Sequence, residues 1–233
     1  MTLSTTLTSP LPVQHTWVII HRETEFLLPA TIVPLDSHNS RMFGDWDLEE
    51  WEVSRKLEWY RFPFIRDLLV RQVHGYEKTF VLLTRLADFP RLVSERLDTR
   101  PPRNATGISV QIQAALTAEI QEEISTTIYN IETAPWNKFG PDRRVVSLPA
   151  AGLFFFAAQH HLATTSGASK FIVSHPTDDG VLFYQQKLKL DLRWNTGLDH
   201  YAVVGRESLY RAFLRYKENL ESMQQNLPIY QPD

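Results

Sequence analysis

The chain has no cysteine among its 233 residues. Disulfides, thiolate-held metals and cysteine nucleophiles are therefore excluded. The lack of cross-links fits a reducing compartment without demanding one. Neither sign of charge is in excess: 24 basic against 27 acidic side chains leave a formal net charge of −3. That balance predicts no general affinity for nucleic acid or an anionic membrane, a local patch aside. A long apolar run is missing too. The longest, Leu148 to Ala158, is interrupted by Pro149 and falls far short of the roughly 20 residues that cross a bilayer. Met1 to Gln14 is rich in Thr, Ser and Pro, with no basic start and no apolar centre. It reads as a flexible tail and not as a secretory leader, and a cytoplasmic protein is the expectation. There is no Gly-x-Ser-x-Gly elbow, no P-loop signature, no internal repeat and no low-complexity tract. His160 and His161 are adjacent on a helix and point in different directions, whereas metal binding needs i, i+3 or i+4 spacing. No metal is expected.

What is present is ample material for a core. Hydrophobic residues make up 43% of the chain and aromatic residues 12%, so a packed core is expected and not global disorder. The length suits one large domain, or a domain with an elaborated flank. His15 to Ile20 and Phe26 to Val33 read as two strands around the polar turn His21 to Glu25, a hairpin pattern. Asp36 to Asp45 is a polar loop. Trp46 to Arg61 follows helical spacing in part, Pro63 breaks it, and Phe64 to Val73 resumes it with Ile65, Leu68, Leu69 and Val73 on one face. Lys78 to Leu83 reads as a strand and Asp88 to Leu97 as a short helix. Thr99 to Gly107, with Pro101 and Pro102, is the clearest internal break: a linker or a long loop. Ile108 to Gln113 alternates with period two as a half-buried strand does, and the residues onward to Glu123 fit strand or helix. Glu207 to Gln225 is an amphipathic helix with Leu209, Phe213, Tyr216 and Leu220 on one face.

The most informative stretch is Phe171 to Leu190, read within the order of elements from residue 126 to residue 204. Thr126 to Thr133 is strand-like and ends in Ala134-Pro-Trp-Asn137. A helix from Gly152 to Thr165 closes at Ser166-Gly167. A short apolar strand, Phe171 to Ser174, leads through a turn into an amphipathic helix carrying the pair Phe183-Tyr184. That helix breaks at Lys189-Leu190-Asp191, ahead of a strand at Tyr201 to Val204. This order resembles the acyl-CoA-binding half of GNAT-type N-acyltransferases over about residues 107 to 205. The resemblance implies an α/β fold with a mixed, mainly antiparallel, twisted sheet flanked by helices. It divides the chain into a tail (1–14), an amino-terminal α/β portion (15–106), the acyl-CoA-binding half (107–206) and a carboxyl-terminal helix and tail (207–233). Residues 15–106 supply either the first elements of the same fold or a small flanking domain.

The resemblance implies acetyl-CoA as co-substrate, held between two parallel strands that splay apart. Its pyrophosphate would rest on main-chain N–H groups at the start of the following helix, where the donors are unpaired and the dipole end is positive. The family signature Q/R-x-x-G-x-G/A falls on Ser147-Leu-Pro-Ala-Ala-Gly152. Ser147 and Ala150 depart from it, and Pro149 removes a donor. Ala150, Ala151, Gly152 and Leu153, with Arg144 and Thr177, are the candidate cofactor-binding residues; the bland alternative is an ordinary loop entering a buried helix. Tyr184 matches the tyrosine of the family's Phe-Tyr-x-x-Leu-Gly-Phe segment, which protonates the departing thiolate, and Lys189 stands where the family has Gly. A phenol with a pKa near ~10 suits that task; core packing is the alternative. Glu132, at the end of its strand, and His175, at the end of the next, are the candidate bases acting through water. The acceptor would be a small-molecule or peptide amine. The aromatic cluster Trp46, Trp51, Trp59 and Tyr60 leaves open a homo-oligomer or protein partner. The competing function is a GNAT-derived binding or scaffolding protein that has lost acyl transfer.

Overall fold

The computed structural model describes residues 15–21, 26–34, 77–85, 110–121, 123–134, 146–147, 149–165, 167–195 and 200–228. The helices expected over 46–73 and 88–97, the break at 99–107, the tail and Arg144 lie outside them. In chain order the elements are β1 (His15–His21), β2 (Leu27–Pro34), β3 (Glu77–Arg85), β4 (Val110–Gln121), β5 (Ser125–Thr133) and β6 (Val146–Ser147). Then come α1 (Pro149–Thr164), β7 (Lys170–Ser174), α2 (Asp178–Leu182) with a π-helical turn (Phe183–Lys187), β8 (Leu192–Trp194), β9 (Tyr201–Val204) and α3 (Arg206–Asn226).

Among the described residues all the strands join one sheet, in the order β6-β1-β2-β3-β4-β5-β7-β9-β8. β5 and β7 are parallel, and the other pairs are antiparallel. The expected α/β class with a mixed, mainly antiparallel sheet and flanking helices is the observed one. The hairpin of β1 and β2 forms in register. The segment that fitted strand or helix after Gln113 is strand: β4 continues to Gln121, because both its flanks are occupied, by β3 and by β5. The short β8 was not legible in the sequence, since three residues carry too little periodicity.

α1 is the central helix. Its residues from Pro149 to Ala158 are all buried, as a helix apolar on every side must be. Phe156 meets Phe80 of β3 edge-on at 5.2 Å, and Phe154 meets Phe171 of β7 at 5.5 Å. On the far side Phe155 stacks on Tyr216 of α3 at 4.3 Å. α1 is thus sandwiched between the sheet and α3. It begins at Pro149 and not at Gly152 as the sequence suggested. Proline is favoured in a first helical turn because its missing N–H would have no partner there.

Candidate functional site

β5 and β7 pair over only four residues each, Ser125–Ile128 with Lys170–Val173. β5 then continues to Thr133 without β7. β7 itself ends at Ser174, so the opening is the edge of β5 beyond that point, which no described strand covers. The pairing stops beside a bulge, where Ala118 of β4 pairs with Ile128 and Thr117 with Asn130, so Tyr129 has no opposite number. A bulge of this kind bends its strand and re-aims the side chains that follow. Tyr129 is held in place through its hydroxyl, which donates to Glu119 Oε2 at 2.7 Å, while Gln121 Nε2 donates to the other carboxylate oxygen at 2.6 Å.

Strand alternation assigns the faces. Phe171 and Val173 of β7 and Ile131 of β5 pack into the core beneath α1. Their neighbours Ser174 and Glu132 therefore lie on the opposite face of the sheet, on either side of the opening. Glu132 is half-buried and His175 exposed. His175 directly follows β7 with φ 44°, a left-handed conformation uncommon for residues other than Gly and several-fold enriched for His, Asn and Asp. Its N–H donates to the His200 carbonyl at 2.7 Å, and its Nδ1 lies 2.8 Å from Ser174 Oγ. Ser174 was not among the sequence candidates; only the strand register and this contact mark it. Thr177 caps α2, its Oγ1 accepting from Gly180 N at 3.2 Å, so its hydroxyl serves the helix end.

Tyr184 lies on the α1 side. It is buried, and its ring touches Phe154 at 5.6 Å and Phe183 at 5.4 Å. Among the described residues its hydroxyl has no hydrogen-bond partner. Burial pushes its pKa well above the ordinary tyrosine value, so the sequence expectation of a pKa near ~10 is corrected upward. The segment carrying Tyr184 is also not plain α-helix. From Phe183 to Lys187 it is π-helical, and Lys189 follows with φ 56°. A π turn holds one extra residue. Lys189 then takes the left-handed backbone that glycine adopts most readily.

The start of α1 differs from the expected cradle. Ala150, Ala151, Gly152 and Leu153 are all buried in the first turn. With the helix starting at Pro149, the main-chain ladder takes the N–H groups from about Gly152 onward. Ala150 and Ala151 keep free donors, and Pro149 has none. Gly152 has a packing reason instead: a Cβ there would stand 2.9 Å from Trp17 Nε1. Ser147 is paired with Ile20 in the sheet.

His161, set aside as a metal ligand, is buried. Its Nδ1 lies 3.1 Å from Thr126 Oγ1. Burial, with the charge of Arg206 and then His160, lowers its pKa to about 4. No group of His, Asp and Glu residues able to hold a metal occurs among the described residues, and no described helix is long and apolar enough to cross a membrane. Compared with family models, with curated proteins and with solved structures, the chain matches none.

Proposed function

We propose that the chain is a GNAT-type N-acyltransferase that moves an acetyl group from acetyl-CoA to an amine. The observation that carries this reading is the opening beside β5 where β7 ends at Ser174, with the buried Tyr184 phenol on the α1 side of the sheet and the Glu132 carboxylate on the opposite face. A thioester lodged in such an opening presents its carbonyl to both faces. An amine arriving on the Glu132 face attacks that carbon, the C–N bond forms and the C–S bond breaks. The thiolate leaves on the Tyr184 side and takes the phenolic proton, which solvent later replaces. The ammonium proton passes through water to Glu132 or His175. The raised pKa of Tyr184 does not disqualify it. A thiolate formed in the same dry surroundings is destabilised in the same way, so donor and acceptor shift together. Beyond the bulge, β5 is free of β7 and offers main-chain groups to the amides of a pantetheine arm.

A second reading, a binding module without acyl transfer, is favoured by the start of α1. Pro149, the Ser147 pairing and the use of Gly152 by Trp17 leave few donors for a pyrophosphate. Calorimetry and thermal melting with acetyl-CoA separate the two. At 100 times its dissociation constant the ligand stabilises by about 2.7 kcal/mol, several degrees for a chain of this length. The absence of cysteine also lets free CoA release be followed with a thiol reagent without background. No heat and no shift at millimolar acetyl-CoA would leave the binding module as the surviving reading.

A further inference from the structure

Away from that opening, on the outer side of α1, Trp17 of β1, Leu162 of α1 and Phe213 and Tyr216 of α3 line a cleft of about 450 Å³. That lies within the usual range for small-molecule sites, roughly 300–1,000 Å³. The walls are built, not incidental. Trp17 stacks on Tyr216 at 6.0 Å and donates from Nε1 to its hydroxyl at 2.9 Å, while the indole lies over the bare backbone of Gly152. Tyr216 thereby has its acceptor role filled. Its own proton has no acceptor among the described residues, and burial holds that proton on, with the pKa raised to about 12 despite the Trp17 bond. At the rim stands Lys217, whose only described ion pair, with Glu221 at 3.6 Å, is solvent-exposed and therefore weak.

We propose that this cleft binds a small apolar carboxylate. The chain would lie between the Trp17 and Phe213 rings, and the carboxylate would accept from the Tyr216 hydroxyl and pair with the Lys217 ammonium. An aromatic floor with a hydroxyl donor among its walls and one cation at the rim favours an amphiphilic anion over a sugar or a cation. The inference is independent of the acyl-transfer reading, since none of these residues belongs to the β5–β7 opening.

Octanoate is the probe, with 1-octanol as its uncharged counterpart. The reporter is the Trp17 indole N–H resonance, assigned by its loss in Trp17→Phe. Octanoate is expected to shift that resonance saturably. Lys217→Gln is expected to weaken octanoate by roughly two- to fivefold, the size of an exposed ion pair, and to leave 1-octanol unchanged. Ala163→Trp, which fills the cleft from an exposed position, is expected to abolish both responses. If that variant fails to fold, Lys217→Gln still decides the matter. A Trp17 resonance unmoved by millimolar octanoate overturns the site. Equal binding of acid and alcohol overturns the carboxylate.

Discussion

Replacing Tyr184 with Phe removes one hydroxyl and keeps the ring contacts with Phe154 and Phe183. For a buried tyrosine with a bonded hydroxyl, that change costs stability, about 1 kcal/mol. Here the hydroxyl is buried and has no partner among the described residues. Keeping such a group away from water costs about 1–3 kcal/mol, so deleting it should stabilise the fold by a comparable amount. For a domain of this size each kcal/mol moves the melting midpoint by about 2–4 °C. Tyr184→Phe is therefore expected to melt higher than the parent, by about 2–8 °C once relaxation is allowed for. If the hydroxyl is retained for proton donation, the same substitution lowers acetyl transfer by roughly 10²-fold or more and leaves acetyl-CoA affinity unchanged. Calorimetry and a thiol-release assay on one variant read both signs. A midpoint several degrees lower would refute the reasoning, because it would mean the hydroxyl is bonded in solution. Unchanged turnover would remove Tyr184 as the acid and leave at most a binding site.

Lys189→Gly should stabilise by about 0.5–1 kcal/mol. A side chain at φ 56° costs roughly 1–2 kcal/mol, partly offset by the extra freedom of Gly in the unfolded chain; a lower melting point would show that Lys189 is not strained. Gly152→Ala should destabilise by about 1–2 kcal/mol, since the new Cβ meets the pinned Trp17 indole. Adding Trp17→Phe should remove most of that penalty in a double-mutant cycle. His161 has a folded pKa below its unfolded value, so the unfolded chain binds the extra proton. Its contribution is complete above about pH 6.5 and is lost as the pH falls toward about 4. After allowance for solvent screening this is worth about 2 kcal/mol. Acid titration of His161→Gln should be flatter in that window, and an identical titration would sink the assignment. A fragment beginning at Gly107 should be insoluble or molten, because it bares the edge of β4 that β3 covers from Glu77 to Arg85. A soluble fragment with a cooperative melt would argue for two independent units.

Much of the architecture was legible because the relevant signals are local. A hairpin pattern of β-branched runs around a polar turn marked β1 and β2, an apolar run marked β3, and period-two alternation marked the start of β4. The apolar density of Phe154-Phe-Phe marked a buried helix, and the spacing of Leu209, Phe213, Tyr216 and Leu220 marked the inner face of α3. The chemistry-bearing positions were legible by type only. Glu132, His175 and Tyr184 could be named from strand ends and a Phe-Tyr pair, yet whether they share a face, or meet water, depends on register. One inserted residue in β5, at Tyr129, decides the face of everything after it. Arg144 falls outside the described residues. That an indole 135 positions earlier in the chain lies above Gly152 is a contact no local pattern could show.

By itself the sequence determined what the chain could not contain, thiolate chemistry above all, and the type of its longer described segments: the first strands, the apolar helix α1 and the amphipathic α3. These are properties of composition and of neighbours a few residues apart. Tertiary structure decided the rest: that β7 ends after four pairs with β5, that the Tyr184 hydroxyl is buried without a partner among the described residues, and that Trp17 closes on Tyr216. Each of these arises between residues far apart in the chain, where burial and pairing depend on elements that local periodicity does not encode.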